Sequence, residues 1–320
     1  MNPFPAHAPV TGADLCDRED ILEEILEAAR AGRPVAVAGP PGAGLTSLAR
    51  EAAARLERGG RPAARLGLAT LADPGELRAP GGASRTGGSG HAPGAGRTSG
   101  PLLIDDAHRL AEGGAGSARK ALDLAADGRT PLLFGHDGPA LVSLLGPGAD
   151  GRLLEIGPLP FAAWLPYALE RFLESDVWVS NDQVEAAYRA SGGLARHLQD
   201  LFHELWDLAG GRGGRVEDAM VDRALGRVLA RGARAWQPVW ESLTPNQRRF
   251  LRAVARAGQE AHPFSAAFLE RSGLGPASSA QRAAASLEAR GLLARTPDDA
   301  LRTTDPLLGR WLAGEGRGDA

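Results

Sequence analysis

The stretch from Val35 to about Leu56 constrains the fold of this chain more than any other. A short apolar run, Val35-Ala-Val-Ala38, precedes the glycine-rich sequence Gly39-Pro-Pro-Gly-Ala-Gly44, and a helical pattern then extends from Thr46 to about Leu56. This order predicts a strand, a tight loop and a helix. Glycines in such a loop let successive backbone N–H groups turn toward one anion at the positive end of the helix. The stretch therefore predicts a phosphate-binding loop.

Further apolar runs have the length of buried strands and are separated from one another by helical or loop sequence. They cover residues 64–68, 102–104, 132–134 and 153–156, and apolar residues at helical spacing also occupy 21–29. Strands this apolar, alternating with helices, predict an α/β fold with a parallel sheet covered by helices on both faces.

The loop fits the phosphate-binding pattern G-x-x-x-x-G-K-[ST] except at the lysine, where the chain has Leu45. The Thr46 hydroxyl is the candidate ligand for Mg²⁺. Without the lysine, a charge-assisted contact of about 1.5–3 kcal/mol is missing, which corresponds to a loss of affinity of roughly 10- to 100-fold. The candidate phosphate-binding residues are Gly39, Gly42, Ala43, Gly44, Leu45, Thr46 and Ser47.

Two carboxylates follow the apolar run Leu102-Leu-Ile104. We expect Asp105 to hold hydrated Mg²⁺ and Asp106 to orient or deprotonate a water molecule that attacks a γ-phosphate. The alternative is that both acids only cap the helix that begins near Ala107. His136 follows a later strand at a place suited to sensing the γ-phosphate, although a surface turn also accounts for it.

The overall composition excludes several classes of protein. The formal net charge of −3 offers no bulk positive field for nucleic acid or an anionic membrane. The single cysteine, Cys16, excludes an internal disulfide and fits a reducing compartment. No apolar run is long enough to span a membrane, and Met1–Leu15 lacks the features of a signal peptide. We therefore expect a cytoplasmic protein without a membrane partner.

The chain changes character near residue 160. Between residues 79 and 100, 15 of 22 residues are Gly, Ser, Thr or Pro, which predicts a disordered insertion. All six Trp, both Tyr and six of the eight Phe come after residue 160, where helical patterns cover 161–174, 182–190, 194–208 and 216–229. We predict a phosphate-loop core at 1–160, a helical lid at 161–235 and a winged helix at 236–320.

The winged helix is predicted from three helices followed by a hairpin. Its helices start at Pro245, Ala266 and Ser278, and the hairpin follows from Leu292 to Thr303. Residues 244–290 contain seven arginines and three glutamates, which gives a local net charge of +4. The third helix of such a domain enters the DNA major groove, so the candidate DNA contacts are Ser279, Gln281, Arg282 and Ser286.

The predicted wing favours a different partner. Asp298 and Asp299 at its tip would repel phosphate. The sequence therefore leaves both DNA and a partner protein open for this domain.

These motifs resemble those of the archaeal-type ATPases of the AAA+/STAND group, P-loop proteins with a C-terminal winged helix. The resemblance covers nearly all of the chain. Besides the loop and the paired acids, it rests on Leu15-Cys-Asp-Arg-Glu-Asp-Ile21, Ser191-Gly-Gly-Leu-Ala-Arg196, Leu243-Thr-Pro-Asn-Gln247 and Asp305-Pro-Leu-Leu-Gly-Arg-Trp311.

The resemblance implies that ATP and Mg²⁺ bind at the loop, with Arg18 near the adenine and Arg196 facing the γ-phosphate. It also implies that nucleotide controls movement of the lid and the winged helix. An arginine in the first turn of a helix is often simply solvated, so Arg196 has this second interpretation. The sequence departs from the family pattern at Asp17, Leu45 and Asp106, where glycine, lysine and glutamate are usual.

Three functional hypotheses follow. The first is a nucleotide-responsive switch with weak or absent hydrolysis. The second is a non-enzymatic regulator with a degenerate core, which binds DNA or a protein through the winged helix. The third is a competent ATPase in which an arginine replaces the missing lysine, donated by the lid or by a neighbouring subunit of a homo-oligomer.

Overall fold

A computed structural model of the chain describes residues 1–6, 8–68, 100–113, 115–146, 152–258, 263–296 and 298–314. It divides into two units, one of residues 8–157 and one that joins residues 1–7 to residues 158–320. Almost all of the predicted 79–100 insertion lies outside the described residues. No helix in the described ranges is long and apolar enough to cross a membrane.

A five-stranded parallel sheet forms the centre of the first unit. Its strand order is β2-β3-β4-β1-β5, and the register places Ala36 of β1 beside Leu133 of β4 and Leu153 of β5. β1 is buried along its whole length, as a central strand covered on both faces must be. The predicted α/β fold is confirmed, and the strands are β1 (Val35–Ala38), β2 (Ala64–Gly67), β3 (Leu102–Asp105), β4 (Pro131–Gly135) and β5 (Arg152–Glu155).

Helices cover both faces of this sheet. Alternate residues of β3 point to opposite sides, so Leu102 and Ile104 pack in one cluster with residues of α3 and α4 while Leu103 faces the side of α2. Short 3-10 helices occupy Gly12–Asp14 and Ala107–Gly113. The α-helices are α1 (Glu19–Arg30), α2 (Leu45–Arg58), α3 (Ala115–Ala126) and α4 (Gly138–Leu145).

Polar contacts tie the segment before α1 to α2. The Ser47 hydroxyl accepts a hydrogen bond from the Val10 N–H at 3.1 Å, and the buried Glu51 carboxylate accepts one from the Gly12 N–H at 2.9 Å. Arg55 donates to Glu51 at 2.9 Å and also pairs with Glu19 of α1. Because the buried Glu51 charge has several donors, it stabilises this packing instead of opposing it.

The second unit is helical up to residue 241. Phe4, which is fully buried, packs against Phe172 and Phe202 with ring centroids 4.6 and 5.3 Å away, so the N-terminal residues contribute to this core and not to the sheet. The first four helices are α5 (Phe161–Glu174), α6 (Asn181–Ser191), α7 (Ala195–Leu208) and α8 (Asp218–Glu241).

α8 continues three turns beyond the end predicted at Leu229. Gly232 and Pro238 have poor helix propensity, which is why the sequence pattern stops early. In the structure the Trp236 ring lies across Gly232, where a Cβ atom would be 2.4 Å from it, and packs against the Trp311 ring with the two ring centroids 6.0 Å apart. Tertiary packing of these two rings therefore stabilises the last turns of the helix.

The remaining elements form the predicted winged helix and one further helix. Thr244 and Gln247 form a capping box at the start of α9. The Thr244 N–H donates to Gln247 Oε1 at 2.8 Å, and the Gln247 N–H donates to Thr244 Oγ1 at 3.3 Å. A final helix, which the sequence pattern did not reveal, packs against α8 and α9. The elements are α9 (Pro245–Ala257), α10 (Ala266–Arg271), α11 (Ala277–Ala289), the antiparallel strands β6 (Leu293–Arg295) and β7 (Leu301–Thr303), and α12 (Pro306–Ala313).

A part-buried contact between His197 and Asp305 joins α7 to the start of α12. His197 Nε2 lies 2.9 Å from Asp305 Oδ1, and the same oxygen accepts hydrogen bonds from the Leu307 and Leu308 N–H groups. Burial by itself raises the pKa of Asp305, but the bond and charge of His197, with the two N–H groups, hold that pKa below its ordinary value of 3.8. The helical segment and the winged helix are therefore linked electrostatically.

This link predicts a pH-dependent loss of stability. A carboxyl whose pKa is lower in the folded state stabilises the fold above its unfolded pKa, and this contribution is lost as the pH falls through the folded value. We expect Asp305→Asn to lower the free energy of unfolding by about 1–3 kcal/mol at pH 7. The difference from the wild type should shrink below pH 3.8, the ordinary value.

Urea denaturation followed by tryptophan fluorescence measures this effect. Asp222→Asn, at an exposed position of α8, is the matched control and should leave the stability unchanged at both pH values. A difference between Asp305→Asn and wild type that is equally large at pH 3 and pH 7 would contradict the role assigned to the ionised Asp305 carboxylate.

Candidate functional site

The loop between β1 and α2 has the backbone geometry of an anion cradle. Gly42 and Gly44 adopt positive φ angles of 87° and 102°, and Gly44 is the N-cap of α2. Residues that carry a side chain rarely adopt these backbone angles, so glycine is required at both places. The loop therefore directs backbone N–H groups and the positive end of α2 toward one point, as phosphate binding requires.

Thr46 and Asp105 meet beside this loop. The Thr46 hydroxyl lies close enough to the Asp105 carboxylate to lower its pKa, and the Asp106 N–H donates to Asp105 Oδ1 at 3.2 Å. Burial raises the pKa of Asp105 above its ordinary value, while the nearby Thr46 hydroxyl and the Arg65 charge oppose that rise. A hydroxyl and a carboxylate side by side form the hard oxygen donor set that Mg²⁺ prefers, so these residues fit the ion that the fold implies.

Three neighbouring loop residues have other surroundings. Leu45, at the first position of α2, is only 6% exposed, and Ala43 is buried as well. The Ser47 hydroxyl contacts the backbone of Val10, as described above. The loop thus keeps its backbone donors and its Thr46 hydroxyl, while an apolar side chain occupies the place of the usual cation.

Asp106, His108 and His136 form a polar cluster at the ends of β3 and β4. Asp106 has a positive φ angle of 56°, and its Oδ1 lies 4.0 Å from His136 Nε2. His136 Nδ1 is 3.0 Å from the Gly39 carbonyl, which can only accept, so Nδ1 carries the proton. The His108 ring lies 4.9 Å from the His136 ring, between centroids. An acid and two imidazoles therefore stand next to the loop, where a water molecule could be oriented.

The Arg18 side chain contacts the phosphate loop from the segment just before α1. Its guanidinium donates to the carbonyl oxygens of Ala43 at 3.3 Å and Gly157 at 2.5 Å, joining the phosphate loop to the residue beyond β5. Burial lowers the pKa of Arg18. The role near adenine that the resemblance implies stays a prediction, whereas the observed contacts indicate support of the loop.

Arg196 and the predicted DNA contacts lie in the second unit. Arg196 is exposed in the first turn of α7, and its sensing of a γ-phosphate stays a prediction. On α11, Ser279 accepts from the Asn246 amide at 3.2 Å and Ser286 accepts from the Gln247 amide at 2.8 Å, so both hydroxyls face α9. Gln281 and Arg282 are exposed.

Two features of the site were not predicted from the sequence, the residue His108 and the hydrogen bond from Arg18 to Gly157. His108 had a signal, because it follows Asp106 by two positions in the same motif. The Arg18 bond to Gly157 had none, because 139 residues separate the two in the chain.

The Arg18 contacts predict a specific weakness of the loop. Arg18→Ala removes two hydrogen bonds from a charged donor, each worth about 1.5–3 kcal/mol. The backbone N–H groups of Gly39 and of residues 42–46 should then exchange with deuterium roughly 100-fold faster or more in hydrogen-exchange mass spectrometry. Arg33→Ala, at an exposed arginine just before β1, is the matched control. Equal protection in the two variants would show that Arg18 does not hold the loop.

Comparison with known proteins relates the fold to known architectures. Residues 234–314 match a family described as a probable winged helix domain. The structure resembles the Walker-type ATPase PABY2304 of Pyrococcus abyssi with a TM-score of 0.69 and 15% identity, over 97% of this chain and 99% of that one. The RuvB Holliday junction branch migration motor of Thermotoga maritima aligns with a TM-score of 0.51 and 19% identity, over 95% and 96% of the two chains.

No curated protein sequence matches this chain. At these identities the structural likeness establishes the fold alone. The chain combines a P-loop ATPase fold with a helical region and a C-terminal winged helix.

Proposed function

We propose that this protein is a nucleotide-responsive switch of the cytoplasm, which binds ATP with Mg²⁺ at residues 39–47 and hydrolyses it slowly or not at all. The observation that carries the proposal is the placement of Thr46 next to Asp105, beside a loop with glycine at both strained positions. A chain that had lost nucleotide binding would have no need to keep this oxygen pair and the cradle together.

The roles of the remaining residues follow from their positions. Asp105 and Thr46 hold Mg²⁺, and the backbone N–H groups of Gly42 and of residues 44–46 hold the phosphates, because the Ala43 N–H already donates to the Pro40 carbonyl at 3.0 Å. Asp106 orients the attacking water, and His136 keeps that carboxylate near the loop through its contact with Gly39. Leu45 adds no charge to the phosphates, and stabilisation of the transition state is weakened accordingly.

Contacts within the second unit support coupling to the winged helix. The Ser191–Arg196 segment, which carries the proposed sensor Arg196, touches the start of α12. A Cβ atom on Gly192 would be 2.7 Å from Pro306 Cγ, and Arg310 donates to the Ala190 carbonyl at 3.2 Å. With the His197–Asp305 pair, these contacts make the two parts move together, so a nucleotide-driven change at Arg196 would reach the winged helix.

The burial of Leu45 favours a second candidate function. An apolar side chain enclosed at the first position of α2 is also expected of a scaffold that no longer binds nucleotide. In that case the protein is a non-enzymatic regulator, and its winged helix binds DNA or a partner protein. A third candidate keeps full activity through an arginine from the lid or from a second copy of the chain.

Calorimetric titration of ATP with Mg²⁺ into the purified protein tests these candidates. We expect measurable binding that Asp105→Asn weakens and that Leu45→Lys strengthens roughly 10- to 100-fold, because the lysine restores a charge-assisted contact. Asp20→Asn, which makes the same change at an exposed position of α1, should bind as the wild type does.

Other outcomes select the other candidates. No binding by the wild type, restored by Leu45→Lys, would contradict the switch and favour the degenerate scaffold. Turnover in the wild type that Leu45→Lys does not increase would favour an arginine that already replaces the lysine. Loss of that turnover in Arg196→Ala would place the arginine on the lid.

A further inference from the structure

A large groove lies in the winged-helix domain, on the side formed by the end of α8, by α9 and by α10. Its volume is about 1050 Å³, far more than a single phosphate needs. The described residues that line it include no aspartate or glutamate. Its charged lining residues are Arg248, Arg249, Arg252, Arg256 and Arg271.

The helical repeat places most of these arginines in one row. Arg248, Arg252 and Arg256 are four residues apart on α9 and therefore share one face of the helix. At 1.5 Å per residue the row is about 12 Å long. Arg249 lies beside the row, and Arg271 joins from the end of α10.

Two of the arginines are held in place by Trp240. Arg248 donates to the Trp240 carbonyl at 2.9 Å and to the Glu241 carbonyl at 2.5 Å. The Arg252 guanidinium lies 4.7 Å from the centre of the Trp240 ring. These contacts orient the row but supply no negative charge to neutralise it.

The other three arginines have no counter-charge in the described structure. Arg249, Arg256 and Arg271 are exposed, and no described residue forms an ion pair or hydrogen bond with their side chains. Positive charges gathered in one groove repel each other and raise the local concentration of an anionic ligand. Such an arrangement, in a chain with a net charge of −3, indicates a ligand with several negative charges.

We propose that this groove binds the phosphate backbone of a nucleic acid, and that the α9–α10 face is the nucleic-acid surface of this winged helix. A row of guanidinium groups fits a ligand with regularly repeated phosphates, which arginine binds in bidentate fashion. The indole of Trp240 borders the groove and offers a face on which a base can stack. Binding at this groove does not require the nucleotide site.

The conventional surface of the domain is less suited to this ligand. Ser279 and Ser286 of α11 already bond to α9. At the wing, Arg295 pairs with Glu288 at 2.9 Å and with Asp299 at 2.6 Å, so its charge is neutralised. Arg282 is the remaining predicted contact on α11 that carries a charge.

Fluorescence anisotropy with a labelled 20-nucleotide single strand and its duplex tests the proposal, using the full chain without ATP. At 0.1 M salt, Arg249→Ala/Arg256→Ala should weaken binding on the order of 10-fold or more. The slope of log K against log salt for the duplex should fall by about 1.8, because each phosphate contact contributes about 0.9. Arg212→Ala/Arg223→Ala, which removes two exposed arginines elsewhere in the same unit, should leave both quantities unchanged.

Three results would overturn the proposal. One is the absence of binding by the wild type. Another is a loss of binding in Arg282→Ala while the groove variant binds normally, which would assign the surface to α11. The last is displacement of the oligonucleotide by polyglutamate at an equal concentration of charges, which would assign the groove to an acidic protein. Asp105→Asn should bind the oligonucleotide normally, so failure of the nucleotide switch is separable from failure here.

Discussion

The missing side chain of Gly39 is the constraint on which the site depends. A Cβ atom there would lie 2.6 Å from both Cγ1 and the carbonyl oxygen of Ile156, which is closer than atoms can pack. Because the loop passes so near β5, the Gly39 N–H can bond to the Gly135 carbonyl at 3.2 Å, and the Gly39 carbonyl can accept from His136. One glycine thus joins the ends of three strands, and the polar residues at those ends share one edge of the sheet.

Two opposed features of this edge decide how strongly it can bind a nucleotide. The loop glycines, Thr46 and Asp105 provide oriented donors and oxygen ligands at no further cost in conformational entropy. Leu45 lacks the charge that usually adds about 1.5–3 kcal/mol of binding free energy. A site that keeps its geometry and loses one cation is better suited to weak, reversible binding than to rapid turnover, which is the balance that a switch requires.

The second unit shows how local charge differs from net charge. The chain is slightly acidic, yet five arginines line one groove of the winged-helix domain, and Trp240 orients two of them. The same domain is linked to α6 and α7 through Pro306, Asp305 and Arg310. These contacts are the route that the proposed switch would use to pass a change in α6 and α7 to the winged-helix domain.

The sequence by itself determined the elements whose information is local. Apolar runs predicted the strands to within one residue at each end, and α5 and α10 were predicted with their observed bounds. The N-cap at Thr244 was predicted from the dipeptide Thr244-Pro245. The glycine spacing and paired acids likewise predicted residues that the structure brings together at one candidate site. Only the tertiary structure decided the end of α8, the existence of α12, the Arg18 bond to Gly157 and the approach of Trp240 and Arg271 to the arginine row of α9. Each of these depends on side chains that lie far apart in the chain, and no periodicity or cap within a segment records such contacts.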